Sequence, residues 1–206
     1  MNDLDLFFDE RVELDITNRN RPHWKQEGKI HFVTWRQADS LAQVQLDELK
    51  RDRKEWTERY KGKDLHHLAP HERRRYYDLF HERVERWLDA GSGSCVLRMP
   101  GPRQEVVDAL HYFNGKRYLL GSFAVAGNHV HVLVVPSPGI DLSVITHTWK
   151  SYTGKTINKM IGGSGTFWKE ESFDHLVRTD ASLAKFEDYI RSHVRQGAYV
   201  EQHALL

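Results

Sequence analysis

The chain is predicted to be an α+β protein: an antiparallel sheet with helices packed on it in the ferredoxin-like manner. Three observations predict this. Residues 30–35, 118–125 and 129–135 are rich in β-branched and aliphatic side chains and bounded by turn residues, as strands are. Residues 102–113 and 142–160 carry apolar side chains at helical spacing. Their order, strand–helix–strand–strand–helix, suits an antiparallel sheet with its helices on one face. With 206 residues, 39% of them hydrophobic, the chain can bury one core and still carry an elaboration.

The elements follow in order. Residues 1–27 form a charged arm, with Arg21, His23 and Trp24 near its end. Ile30 to Trp35 alternate as a first strand does. Residues of about 40–90 read as a helical insertion within what is otherwise a single domain over 1–206. Leu41, Val44, Leu46 and Leu49 begin one charged helix that runs towards Tyr60, and Pro70 opens another through Leu79, Val84 and Leu88. Arg73, Arg74 and Arg75 suit either a phosphate backbone or a solvated helix face. Residues 90–94 are glycine- and serine-rich and read as a flexible joint. Residues 95–98 read as a short strand. The helix over 102–113 turns Val106, Val107, Leu110 and Phe113 inward, and Asn114 and Gly115 end it. Residues 118–125 make a strand that turns at Ala126 and Gly127 into the next. After the helix over 142–160 comes a loop at 162–165. Phe167 and Trp168 read as a short strand or extended segment. The last helix covers 183–194, capped by Thr179 or Asp180, with Leu183, Phe186, Ile190 and Val194 as its apolar stripe. No internal repeat is visible.

Composition narrows the function classes. One cysteine excludes an internal disulfide and a cysteine-based zinc site. No segment approaches the roughly 18 apolar residues of a membrane helix, and the acidic opening does not read as a signal peptide. A cytoplasmic protein without a membrane partner is expected. The net charge of +1 is uninformative, but its distribution is not. Residues 39–89 hold twelve basic and twelve acidic side chains, whereas residues 96–169 hold eight and three. That local excess suits a phosphate-binding face, or is a fluctuation in a charged protein.

The most informative stretch is His129-Val130-His131. Side chains alternate along a strand, so the two imidazoles share a face. Such a pair is either a metal site or two core histidines satisfied by hydrogen bonds. Tyr189 and His193 lie one turn apart on the shoulder of the last helix's apolar stripe, so they can face a common point. Alone, Tyr189 reads equally as an amphipathic edge residue.

At these residues the chain resembles the HUH single-tyrosine transposases, in particular their REP-associated branch. The family strand reads Met-Pro-Asn-His-Val-His followed by aliphatics; here Ala126-Gly127-Asn128-His129-Val130-His131-Val132-Leu133-Val134 stands in its place. The family's nucleophile helix reads Tyr-Ile-x-x-Asn-Pro-Val-x-Ala-Gly; here it is Tyr189-Ile190-Arg191-Ser192-His193-Val194-Arg195-Gln196-Gly197. Residues 149–153 and 167–174 match further family segments, and the likeness spans about 20–40 and 95–200. Gly127 replaces the usual proline, and His193 replaces the family's amide.

The resemblance implies an HUH endonuclease core, with Tyr189 as nucleophile and His129, His131 and His193 holding a divalent ion, Mg²⁺ or Mn²⁺. It implies a nickase and strand transferase for single-stranded or hairpin DNA, working through a 5′-phosphotyrosine link. Lys150, Lys155, Arg178, Arg191 and Arg195 are candidates for phosphate contacts, each alternatively a solvated surface charge. Arg21, His23 and Trp24 are candidates for reading a hairpin. Trp149 and Trp168 suit base stacking or core packing. Two other classes remain: a DNA-hairpin binder that has lost catalysis, and a metal phosphodiesterase for a small molecule. Both a monomer and a homodimer fit.

Overall fold

Alternation along the strands decides the architecture, because each strand must bury two different faces. The structure, a computed structural model, describes residues 6–8, 15–18, 22–26, 28–61, 63 and 65–205. The chain divides into two compact units, residues 1–38 with 96–206, and residues 39–95.

The larger unit is built on five strands: β3 (His31–Arg36), β4 (Tyr118–Val125), β5 (His129–Pro136), β6 (Phe173–Leu176) and β7 (Tyr199–Glu201). Their order across the sheet is β6-β3-β5-β4-β7, and every neighbouring pair is antiparallel. Helix α4 (Pro100–Tyr112) leads into β4, and α5 (Leu142–Ile161) leads from β5 towards β6. Without β7, this is the ferredoxin-like interleaving of strands, and the predicted α+β class is observed. In the N-terminal arm, β1 (Asp15–Asn18) and β2 (Pro22–Lys25) pair as a separate antiparallel ribbon. No helix among the described residues is long and apolar enough to cross a membrane.

The sheet has a core on each face. Val33, Trp35, Val130, Val132 and Val134 join Val106 and Leu110 of α4 and Ile145, Trp149 and Ile157 of α5. Phe32, Ala124, Leu133 and Val135 point the other way, onto Leu183 and Ile190 of α6 (Asp180–Ser192). Helices therefore cover both faces, which corrects the one-faced expectation. The apolar stripe of α6 needs a partner, and the odd-numbered side chains of β5 supply it. The register of β4 shifts between Leu120 and Phe123. That shift lets Tyr118 and Leu120 join the same cluster as Phe123 and Val125 despite their opposite parity. Gly121 sits in the shift, where an added Cβ would lie 2.7 Å from Leu205 Cδ1 and 3.0 Å from Leu133 Cβ.

Several boundaries differ from expectation. Residues 95–98 are not a strand; Val96–Arg98 is a 3₁₀ turn with Leu97 buried. Leu97 N–H donates to Gly127 O, in the turn between β4 and β5, at 3.1 Å. Helix α4 starts at Pro100, earlier than residue 102, because proline at the first position costs no helical hydrogen bond. Phe167 and Trp168 form no strand, only a bridge between Gln37 and Trp168. The neighbouring β6 and the short β7, of four and three residues, are additions to the predicted strands. Val194 was placed in the apolar stripe but is 58% exposed, because α6 ends at Ser192 and a 3₁₀ turn, His193–Gln196, redirects the chain. Trp149 and Trp168 are buried, at 2% and 4% exposure, so neither presents a face to a base. Trp149 Nε1 donates to Tyr118 Oη at 2.9 Å, and Trp168 Nε1 to Thr153 Oγ1 at 2.8 Å.

The smaller unit has α1 (Gln43–Arg59), α2 (Pro70–Tyr77), a wide π turn at Asp78–Glu82 and α3 (Arg83–Asp89). Leu41, Leu49, Phe80, Val84 and Leu88 form its core, ringed by Leu46, Trp56, Tyr76, Leu79 and Trp87. Val44, at the start of α1, is exposed. Arg83 crosses between helices to Glu48 at 2.8 Å and Asp52 at 2.6 Å. Arg74 and Arg75 are exposed and Arg73 half-buried on α2.

Leu110 is fully buried between α4 and the sheet. Leu110→Ala is expected to cost about 2–5 kcal/mol through lost burial and a residual cavity. Urea unfolding followed by circular dichroism should show the midpoint falling with an unchanged slope.

Candidate metal centre and tyrosine

β5 lies between β3 and β4, and all eight of its residues are buried. Its register sets His131 opposite Thr34 and Ala124, and His129 opposite Arg36. His129 and His131 share parity with Leu133 and Val135, so they lie on the face that α6 covers.

Helix α6 is held at its start by reciprocal capping. Ser182 N–H donates to Thr179 Oγ1 at 3.2 Å, and Thr179 N–H donates to Ser182 Oγ at 3.0 Å. Along the helix Leu183 and Ile190 are buried, and Phe186 stacks on Phe32 with ring centroids 4.4 Å apart. These contacts fix the rotation of α6, so Tyr189 and His193 turn towards β5 from its last turn and the turn after it. Gly197, at φ +75°, closes the 3₁₀ turn in a conformation that favours glycine.

The three histidine rings converge. Centroids lie 4.6 Å apart for His129 and His131, 4.6 Å for His131 and His193, and 5.6 Å for His129 and His193. One ring nitrogen from each lies within 4.8 Å of the other two. All three residues are buried. The Tyr189 ring is 4.7 Å from His193 and 5.0 Å from His131.

Each imidazole is held through Nδ1. His129 Nδ1 meets Asn128 Oδ1 at 2.7 Å, His131 Nδ1 meets Thr34 Oγ1 at 2.8 Å, and His193 Nδ1 meets the Tyr189 carbonyl at 2.8 Å. A carbonyl only accepts, so His129 and His193 carry their proton on Nδ1 and keep the Nε2 lone pair for coordination. The same holds for His131 when Thr34 accepts. Three imidazoles oriented by oxygen atoms through their outer nitrogens are a donor set that fits a divalent transition metal. Ligand nitrogens within 4.8 Å of one another make a group that could hold one metal ion. Thr34 and Asn128 were missed as site residues. Asn128 was legible beside His129, whereas Thr34 enters only through the register of β3 against β5.

The basic candidates do not gather at one place. Lys150 and Lys155 are on α5, which packs on the opposite face of the sheet. Both line a cleft of about 530 Å³ between α5 and the loop carrying Thr166, Phe167 and Glu170. Lys150 donates to the Glu170 carbonyl and to Ser172 Oγ at 3.2 Å. Burial lowers its pKa to about 8, against the pull of Glu170 and Glu171. Lys155 is exposed. Arg178 precedes α6 and lies over the Phe8 ring at 5.1 Å. Arg191 pairs with Asp188 at 3.2 Å on the exposed side of α6, and Arg195 is exposed just beyond His193. Arg21 lies outside the described residues; His23 and Trp24 are in β2, opposite Thr17 and Ile16.

Comparison with known proteins shows what part of the chain resembles. A search of curated proteins finds no match. A solved structure of a REP-associated tyrosine transposase bound to a REP hairpin is similar, at 13% identity and a TM-score of 0.45, over 88% of this chain and 75% of that one. Residues 108–193 match the family described as IS200-like transposase. The matched stretch begins in α4, contains β4, β5 and α5, and ends on His193. Over these residues the chain carries the sequence signature of the IS200-like transposases, and the resemblance read from its sequence is borne out there.

Proposed function

We propose that this protein is a metal-dependent endonuclease and strand transferase for single-stranded DNA, acting on hairpin-forming repetitive elements through a 5′-phosphotyrosine intermediate. One observation carries the reading: His129 and His131 of β5 meet His193 and the Tyr189 ring of α6, although they are far apart in sequence.

Cleaving a phosphodiester brings a nucleophile to an anion and builds further charge in the transition state. A divalent ion held by His129, His131 and His193 supplies charge neutralisation at a non-bridging oxygen when bound. Tyr189 is the nucleophile. Its phenol oxygen attacks phosphorus in line, its proton is lost, and the 3′-hydroxyl of the preceding nucleotide leaves. The new phosphotyrosine bond conserves the energy of the broken one, so another 3′-hydroxyl can reverse the step and join a different strand. Asn128, Thr34 and the Tyr189 carbonyl hold the imidazoles in orientation. Arg178, Arg191 and Arg195, on or beside α6, serve phosphates next to the scissile bond. Lys150 and Lys155 serve a segment that passes the opposite face. Arg21, His23 and Trp24 read the hairpin. The protein works in the cytoplasm, as a monomer or homodimer.

Tyr189→Phe is expected to abolish the denaturation-resistant adduct formed with single-stranded hairpin DNA and Mn²⁺, while hairpin binding changes only a few-fold. An adduct that persists on denaturing gels would assign the nucleophile elsewhere, to Tyr152 or Tyr199 first. Loss of one outer hydrogen bond loosens a ring without removing a ligand. Asn128→Ala and Thr34→Val should each lower Mn²⁺ affinity about 10–100-fold by titration calorimetry, with circular dichroism unchanged.

Imidazole in place of an amide favours Mn²⁺ over Mg²⁺. Each imidazole must be neutral to coordinate, so protons compete with the ion, and binding should weaken as pH falls. His193→Asn should shift the ratio of Mn²⁺- to Mg²⁺-supported cleavage towards Mg²⁺. An unchanged ratio and pH profile would remove His193 from the ligand set.

A further inference from the structure

A second cluster of metal-ligand side chains lies apart from the one described. His111 lies in the last turn of α4, Glu201 ends β7, and His203 follows two residues later. A ring nitrogen of each histidine and a carboxylate oxygen of Glu201 all lie within 4.8 Å of one another. From these observations we propose a second metal site, in which His111, Glu201 and His203 bind a divalent transition-metal ion of the zinc type and tie the C-terminal strand to α4.

The geometry is specific. His111 Nε2 is 3.0 Å from Glu201 Oε1 and 3.2 Å from Oε2, and His203 Nε2 is 2.8 Å from Oε1. The same nitrogen of both rings therefore points at the same carboxylate. Each such contact needs a proton on Nε2, because an ionised carboxylate only accepts. A metal ion takes the place of those protons: each ring moves its proton to Nδ1, and two nitrogen lone pairs and the carboxylate face one centre. Two imidazoles and one carboxylate, with a water in the remaining position, are a donor set that Zn²⁺ accepts.

The surroundings are arranged around these three side chains. Tyr199 Oη donates to Glu201 Oε2 at 2.9 Å and orients the carboxylate. The Phe123 ring walls one side, with centroids 5.7 Å from His111 and 6.3 Å from His203. His203 N–H donates to Ser122 Oγ at 3.2 Å, which anchors the residue to the register shift of β4. Asp108, one turn before His111 on α4, adds negative charge near Tyr199 and so favours a cation. The side chains remain 37%, 26% and 33% exposed for His111, Glu201 and His203, so an ion can enter from solvent. Glu201 and His203 lie beyond the residues that match the transposase family.

The site is independent of the His129 centre, and the test separates them. Metal-stripped protein is titrated with Zn²⁺ by calorimetry, and bound metal is counted by mass spectrometry after desalting. The His129→Ala/His131→Ala variant should retain about one Zn²⁺ per chain, and Zn²⁺ should raise its Tm. Adding His111→Asn and His203→Asn should abolish that binding and that shift. In the His129→Ala/His131→Ala background, Tyr199→Phe should weaken Zn²⁺ affinity about 10–100-fold while leaving the far-ultraviolet spectrum unchanged. Replacing Zn²⁺ by Co²⁺ should give the visible absorption of a four- or five-coordinate ion, lost in the His111→Asn/His203→Asn variant, a readout a folding defect cannot mimic. A His129→Ala/His131→Ala variant that folds but binds no Zn²⁺, or that binds it equally well without His111 and His203, overturns the proposal.

Discussion

The pairing of β5 with β3 and β4 is the constraint on which the rest depends. β5 is the central strand of five, buried along its whole length. A slip of one residue would exchange its two faces. Val130, Val132 and Val134 would then meet α6, and two imidazoles would enter the apolar layer beneath α4 and α5. Both layers resist this. The valines are locked among Trp35, Leu110 and Trp149, and Leu133 packs with Phe32 and Ile190. The site thus inherits its position from the hydrophobic packing of its own strand.

Burial of three imidazoles side by side is costly unless their nitrogens have partners, at about 1–3 kcal/mol for each polar atom left unsatisfied. At Nδ1 the chain offsets this cost with short oxygen contacts, one from the residue before His129, one from the neighbouring strand and one from the helix backbone. The contacts to Asn128 Oδ1 and the Tyr189 carbonyl also choose the tautomer that suits coordination in His129 and His193. Tyr189 has a double part here: its carbonyl orients His193, while its ring lies against His131 and His193. Side chain and main chain of one residue thereby couple Tyr189 to the histidine cluster.

The sheet extends past the ferredoxin-like pattern at one edge. β7 adds to β4 beyond the register shift, and residues 199–203 bring Tyr199, Glu201 and His203 up against Phe123 and His111. β7 also follows almost directly on the 3₁₀ turn that carries His193. Whatever fixes β7 therefore limits how far the end of α6 can move. The smaller unit is held on different principles, an aromatic cluster around Trp56 and an arginine shared by two carboxylates.

By itself the sequence determined the α+β class, the long strands β3, β4 and β5, the helices α4, α5 and α6, and the residues 129, 131, 189 and 193 as a group. These signals are local: alternation with period two, apolar spacing near 3.6, and glycine or capping residues at the ends. What only the tertiary structure decided is non-local. The face on which α6 packs, the pairing of Thr34 with His131, and the placing of Lys150 and Lys155 on the far side of the sheet all depend on register and on which layers compete for burial. Strands β6 and β7, of four and three residues, are too short to carry a period of their own and exist because an edge was there to pair with. His111, Glu201 and His203 were silent for the same reason: no motif links residues so far apart, and only the closing of β7 onto β4 brings them together.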